Sequence, residues 1–109
     1  MNSPNGSAES LPTFELERVT IVAEGVLEPR LLSLLRECGA RGWTLTEVRG
    51  EGSRGVRASD WEGNVKIEAL VSSPCATRIL TSLARDYFEH FAVVAFTDRV
   101  RVVRGDKYV

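Results

Sequence analysis

Eight consecutive residues, Gly50-Glu51-Gly52-Ser53-Arg54-Gly55-Val56-Arg57, bring backbone freedom, a hydroxyl and two guanidiniums together. Glycines let the main chain come close to a ligand and turn its N–H groups inward. Arg54 and Arg57 add planar forks of donors that match phosphate or carboxylate oxygens. The segment predicts an anion site, and a nucleotide phosphate is the ligand that suits it best. Gly52, Ser53, Arg54 and Arg57 are the candidate contacts.

Regular elements must hold that segment in place. Residues 1–13 are rich in Ser, Asn, Gly and Pro and read as a flexible leader, with the folded domain over 14–109. Leu16 to Ala23 reads as a buried strand broken by Gly25. From Glu28 to Ala40, Leu31, Leu32, Leu34, Leu35 and Cys38 recur at helical spacing, Pro29 suits the first turn, and Gly39 and Gly42 mark the exit. Trp43, Leu45 and Val48 then indicate a strand that runs into a long loop from Gly50 to Gly63. Val65, Ile67, Ala69 and Val71 alternate with Lys66, Glu68 and Leu70, the pattern of a strand buried on one face.

Ser72 or Ser73 can cap a second helix in which Pro74 fits the first turn. Its apolar stripe is Ile79, Leu80, Leu83, Ala84, Tyr87 and Phe88, and its expected end lies near Glu89 or His90, where the imidazole could cap. Ala92 to Phe96 and Val100 to Val103 are β-rich runs, and Thr97-Asp98-Arg99 between them reads as a turn or a bulge, leaving room for an extra strand. The order βαββαβ, with a hairpin in the middle, predicts an α+β ferredoxin-like sandwich with both helices on one sheet face.

Composition narrows the function classes. With 43% hydrophobic and 27% charged residues the chain is apolar enough to fold, so wholesale disorder is excluded. Fourteen basic against 15 acidic side chains give a net charge of -1, which provides no global field for nucleic acid or an anionic membrane. No apolar run reaches the roughly 20 residues of a membrane span, and Met1 to Ser10 lack the pattern of a signal peptide, so a cytoplasmic protein is expected. Cys38 and Cys75 have no partners at metal-ligand spacing and are expected as buried thiols without a disulfide.

Two segments resemble a known family. Gly42-Trp43-Thr44-Leu45-Thr46-Glu47-Val48-Arg49-Gly50-Glu51-Gly52 is similar to the part of PII signal proteins that leaves strand two and enters the effector-sensing T-loop, and Asn64-Val65-Lys66-Ile67-Glu68-Ala69-Leu70-Val71 resembles the returning strand. The resemblance spans about Glu17 to Gly105. It implies a homotrimer that binds adenine nucleotides in clefts between subunits and contacts a target through the T-loop. Departures from the family pattern are informative. The phosphate loop TGKxGDGK is replaced by Arg85-Asp86-Tyr87-Phe88-Glu89-His90-Phe91, the T-loop tyrosine is missing, and the C-terminal Arg-x-Arg becomes Arg101-Val102-Val103. These differences argue against a standard PII triphosphate site and a nitrogen-signalling role.

Gly52-Ser53-Arg54-Gly55-Val56-Arg57 instead looks like the GSRxVR segment of PII-like regulators linked to bicarbonate transport, and Tyr87 to Phe91 resembles the aromatic-acidic stretch of that branch. The cyanobacterial form carries a Cys-containing C-terminal extension. This sequence ends at Val109 without one, which favours the carboxysome-associated type. The resemblance implies a non-enzymatic regulator, with ADP, AMP or ATP as effector, bicarbonate as a second effector and a membrane bicarbonate transporter as target. It places phosphates or bicarbonate at Gly52, Ser53, Arg54, Arg57 and Arg101, and adenine near Thr44, Leu45 and Phe88.

Several of these residues keep a second reading. Arg101 could pair with a sheet carboxylate, Phe88 could serve the core, and Trp61 could anchor the loop or touch a partner. Two other functions also stay open. A nucleotide hydrolase would need a metal site for which Glu47, Glu51, Asp60 and Glu62 are the available carboxylates, and a divalent-cation tolerance type trimer shares the fold.

Overall fold

The computed structural model describes residues 11–50 and 63–108, the side chains of residues 105 and 106 apart. Four strands and two helices follow in the order expected: β1 (Phe14–Glu24), α1 (Glu28–Cys38), β2 (Thr44–Val48), β3 (Asn64–Val71), α2 (Ser73–Asp86) and β4 (Val94–Val102). The sheet order is β2-β3-β1-β4, with each neighbouring pair antiparallel. This is the ferredoxin-like arrangement, in which two helices cover one face of the sheet.

Alternation sets that covered face. Val65, Ile67, Ala69 and Val71 of β3 are at most 3% exposed, and they stand beside Val19, Ile21 and Ala23 of β1. Leu31, Leu34, Leu35 and Cys38 from α1, with Cys75, Ala76, Ile79 and Leu83 from α2, close the core above them. Both cysteines are buried and free. Burial pushes the Cys75 thiol above its usual range, with the Arg78 guanidinium pulling the other way.

The turns follow local chemistry. Gly25 N–H donates to the Gly63 carbonyl at 2.7 Å, which ties the end of β1 to the start of β3. Gly39 ends α1 at φ 109°, where its N–H bonds the Arg36 carbonyl and Ala40 N–H bonds that of Leu35. Arg78 reaches across from α2 and donates Nη2 and Nε to the Cys38 carbonyl at 2.8 and 3.1 Å, satisfying an otherwise orphaned acceptor at the end of α1. Of the two candidate caps for α2, Ser72 is the one used, its Oγ accepting from Cys75 N–H at 3.3 Å.

Two expectations need correction. First, α2 stops at Asp86 rather than near Glu89 or His90. Tyr87 leaves helical geometry, is 6% exposed and meets Phe91 at 5.8 Å between ring centroids, so the segment turns to seat this aromatic pair. His90 follows that turn with its imidazole exposed beside Glu89, four residues past the helix end. Second, Thr97-Asp98-Arg99 is neither turn nor bulge. β4 pairs with β1 residue by residue from Val22↔Val94 to Phe14↔Val102. Asp98 stands opposite Arg18 and accepts from Nε at 3.1 Å and Nη2 at 2.7 Å, so the polar residues mark a cross-strand ion pair within one strand.

Candidate functional site

The sheet face away from the helices carries most of the chemistry. Register places Thr44 of β2, Glu68 of β3, Thr20 of β1 and Phe96 of β4 in one row across it. One row on lie Thr46, Lys66 and Val22 at alternate positions, then Val48, Asn64 and Glu24. Toward the other end, Arg18 holds Asp98, and the hydrogen bond from its guanidinium keeps the Asp98 carboxyl below its ordinary range.

This face is also strongly apolar at its β4 side. Phe14, Val94 and Phe96 are 43%, 47% and 52% exposed. Leu16 is buried on the same face, and the C-terminal 3-10 turn Gly105–Tyr108 packs near β1. The nine-residue β4 has β1 on one side and no strand on the other among the described residues. An unpaired edge beside exposed aromatic side chains is a surface suited to association.

The sequence-predicted residues are distributed as follows. Gly52, Ser53, Arg54, Arg57 and Trp61 lie outside the described residues, as do Glu51, Asp60 and Glu62. Thr44 is exposed on the open face opposite Glu68. Leu45 faces the other way, opposite Ile67, and packs half-buried against the core. A ligand on the open face therefore meets the Thr44 side chain but only the main chain of Leu45. Phe88 is 40% exposed beyond the end of α2, while its neighbour Tyr87 takes the core position. Arg101 is exposed on β4 opposite Glu15, and no ion pair of Arg101 forms among the described residues.

Thr44 and Arg101 sit on opposite edge strands and on opposite faces of the sheet, Thr44 on the open face and Arg101, in register with Glu15, on the helix side. Three inter-strand steps separate them across the sheet, about 14 Å, and five residue rows separate them along it, about 17 Å. Within one chain the two are thus roughly 22 Å apart. A single ligand of nucleotide size meets both groups more readily when the β2 edge of one chain faces the β4 edge of another.

Sequence reasoning passed over Arg99, Arg18 and Asn64. Arg99 shares the face of Arg101 and stands opposite Glu17, whose Oε2 accepts a hydrogen bond from Ser73 Oγ. Alternation along β4 could have paired Arg99 with Arg101. Nothing in the sequence could have revealed that Asn64 is 1% exposed, because its burial depends on strand register.

A profile of nitrogen regulatory protein P-II matches residues 16–107, and the chain belongs to that family. A PII-like signalling protein from Thermus thermophilus is 51% identical over 89% of this chain and 98% of its own, with a TM-score of 0.80. CPII, a nitrogen regulatory PII-like protein from Thiomonas intermedia solved bound to ADP, AMP and bicarbonate, is 23% identical over 91% of this chain and 98% of its own, with a TM-score of 0.82. GlnK from Bacillus subtilis, in complex with ATP, is 19% identical over 79% of this chain and 82% of its own, with a TM-score of 0.58. At those identities the last two speak to the fold alone. No helix among the described residues is long and apolar enough to cross a membrane, and none of their His, Cys, Asp and Glu residues cluster in threes at metal-binding distance.

Proposed function

We propose that this chain is a non-enzymatic, cytoplasmic PII-like signal transduction protein that forms a homotrimer and binds an adenine nucleotide, ADP or AMP, between subunits. Bicarbonate is the second effector. The loop between β2 and β3 is the output, contacting a membrane bicarbonate transporter and so regulating inorganic-carbon uptake. This is the carboxysome-associated branch of the family rather than the nitrogen-signalling one.

The observation that carries the reading is the placement of Thr44 and Arg101 on opposite edges of one sheet, which favours a cleft completed by a neighbouring subunit. The exposed apolar side chains beside β4 supply a surface for that neighbour. In the cleft, Ser53, Arg54 and Arg57 take the phosphates with Gly52 allowing close approach, Arg101 adds a further cation, and adenine lies by Thr44, Leu45 and Phe88. Trp61 is the loop's candidate contact for the transporter. If nucleotide and bicarbonate order the same loop, each lowers the entropic cost of binding the other, and the coupling is reciprocal.

Calorimetric titration of ADP onto the native chain and onto Arg57→Ala tests the phosphate assignment. One charge-assisted hydrogen bond is worth about 1.5–3 kcal/mol, so the variant should bind ADP about one to two decades more weakly. Equal affinities would remove Arg57 from the site.

A further inference from the structure

Asn64 opens β3, directly after the segment that carries the anion-binding motif. Val65 beside it is buried under the helices, so strand alternation turns Asn64 to the open face. There it stands between Val48 of β2 and Glu24 of β1. Its residue exposure is 1%, and among the described residues neither Nδ2 nor Oδ1 has a hydrogen-bond partner. A buried amide that makes no bond carries its full desolvation penalty, and folded proteins satisfy most such groups.

The surroundings define what would satisfy it. Lys66 lies two residues on along the same face, half-buried, opposite Thr46 on β2. Lys66 forms no ion pair among the described residues. Glu24 closes the other flank as a half-buried carboxylate. Strand register therefore gathers around Asn64 donors in its own Nδ2–H, the Lys66 ammonium and the Thr46 hydroxyl, and acceptors in its own Oδ1 and the Glu24 carboxylate. A small anion that carries its own proton fits that pattern, because its ionised oxygen takes the donors while its O–H meets an acceptor. An anion of the same size without a proton would press oxygen against Oδ1 and Glu24.

We propose that Asn64 is a bicarbonate-binding residue whose Nδ2–H donates to an ionised oxygen of the ion and whose Oδ1 accepts the ion's O–H, with Lys66 balancing the charge. The inference rests on the proposed function in taking bicarbonate as the effector, and it gives that effector a seat on the strand rather than in the loop. The amide then reports bicarbonate at the point where the loop rejoins the sheet.

The test is a titration of ¹³C-bicarbonate onto the full chain followed by NMR, with and without ADP, for the native protein, Asn64→Leu, Asn64→Asp and Lys66→Met. Nitrate, a planar monoanion without a proton, is the control. The Leu and Met variants should each lose about tenfold or more in bicarbonate affinity, the Asp variant should lose more, and nitrate should compete poorly. ADP affinity measured without bicarbonate should stay within about twofold. Replacing an unpaired buried amide by an apolar group of its size should leave the melting temperature of the ligand-free protein unchanged or raise it. Native-like bicarbonate affinity in Asn64→Leu, or equal competition by nitrate, would overturn the assignment. So would loss of the oligomer in Asn64→Leu, which would show that the amide serves a neighbouring subunit. A native chain that binds bicarbonate but no ADP would overturn the nucleotide reading and leave Asn64 in place.

Discussion

Phe96→Asp should dissolve the trimer without unfolding the subunit. Phe96 sits on the open sheet face at 52% exposure. A phenylalanine buries about 200 Å² when fully covered, so roughly 100 Å² of its ring is left for a neighbour to cover. At about 25 cal/mol per Å² this amounts to about 2.5 kcal/mol per subunit, or about 7.5 kcal/mol for three copies. The constant for dissociation into three monomers then rises by roughly five decades. Because that constant scales with the square of concentration, the midpoint for dissociation rises several-hundred-fold, on the order of 10²–10³. A charge in place of the ring makes this a lower bound, since burying an unpaired carboxylate adds its own cost. Sedimentation velocity across a dilution series measures the midpoint, and far-UV circular dichroism checks that the variant is folded. A folded Phe96→Asp that stays trimeric at the native protein's midpoint would refute the use of this face for association.

Stability offers two smaller tests. The Arg18 guanidinium holds the Asp98 carboxyl below its usual range, so the pair contributes stability above the unfolded carboxylate value near pH 4 and loses it as pH falls through the depressed folded value. Denaturant unfolding should accordingly show Asp98→Asn slightly less stable than the native chain from about pH 5 upward, with the gap closing below about pH 3. A gap that did not narrow in acid would contradict the ion-pair account. At Gly39, φ is 109° and an added Cβ would lie 3.2 Å from Arg78 Nη2, against the side chain that caps α1. Gly39→Ala should cost roughly 1–2 kcal/mol and lower the melting temperature by about 5 °C or more, whereas an unchanged melting temperature would remove the backbone argument.

Much of the fold was legible because local patterns and tertiary packing agree in it. β3 alternates strictly between buried and half-buried residues after Asn64, α1 repeats leucine at helical spacing, and Ser72 with Pro74 announces the start of α2. The misreadings came where a residue's role depends on a distant partner. Thr97-Asp98-Arg99 has the composition of a turn, and only Arg18 across the ladder explains why it continues a strand. The aromatic residues after Asp86 prolong a helical pattern, yet Tyr87 and Phe91 pack together and turn the chain.

The candidate site divides the same way. Gly52, Ser53, Arg54 and Arg57 suggest anion chemistry by type alone and lie outside the described residues, whereas Asn64 reads as an ordinary first residue of a strand until register encloses it. Thr44 and Leu45 are adjacent in sequence and look like one pocket. Strand alternation sends their side chains to opposite faces, and the same sheet sets Thr44 far from Arg101.

The central claim is that nucleotide and bicarbonate are coupled through one regulatory loop. It is tested most directly by titrating ADP onto the native chain in bicarbonate-free buffer and again at saturating bicarbonate. Tighter ADP binding in bicarbonate, matched by an equal gain in bicarbonate affinity when ADP is present, is the result predicted. Identical ADP affinities in the two buffers, or no ADP binding in either, would contradict it.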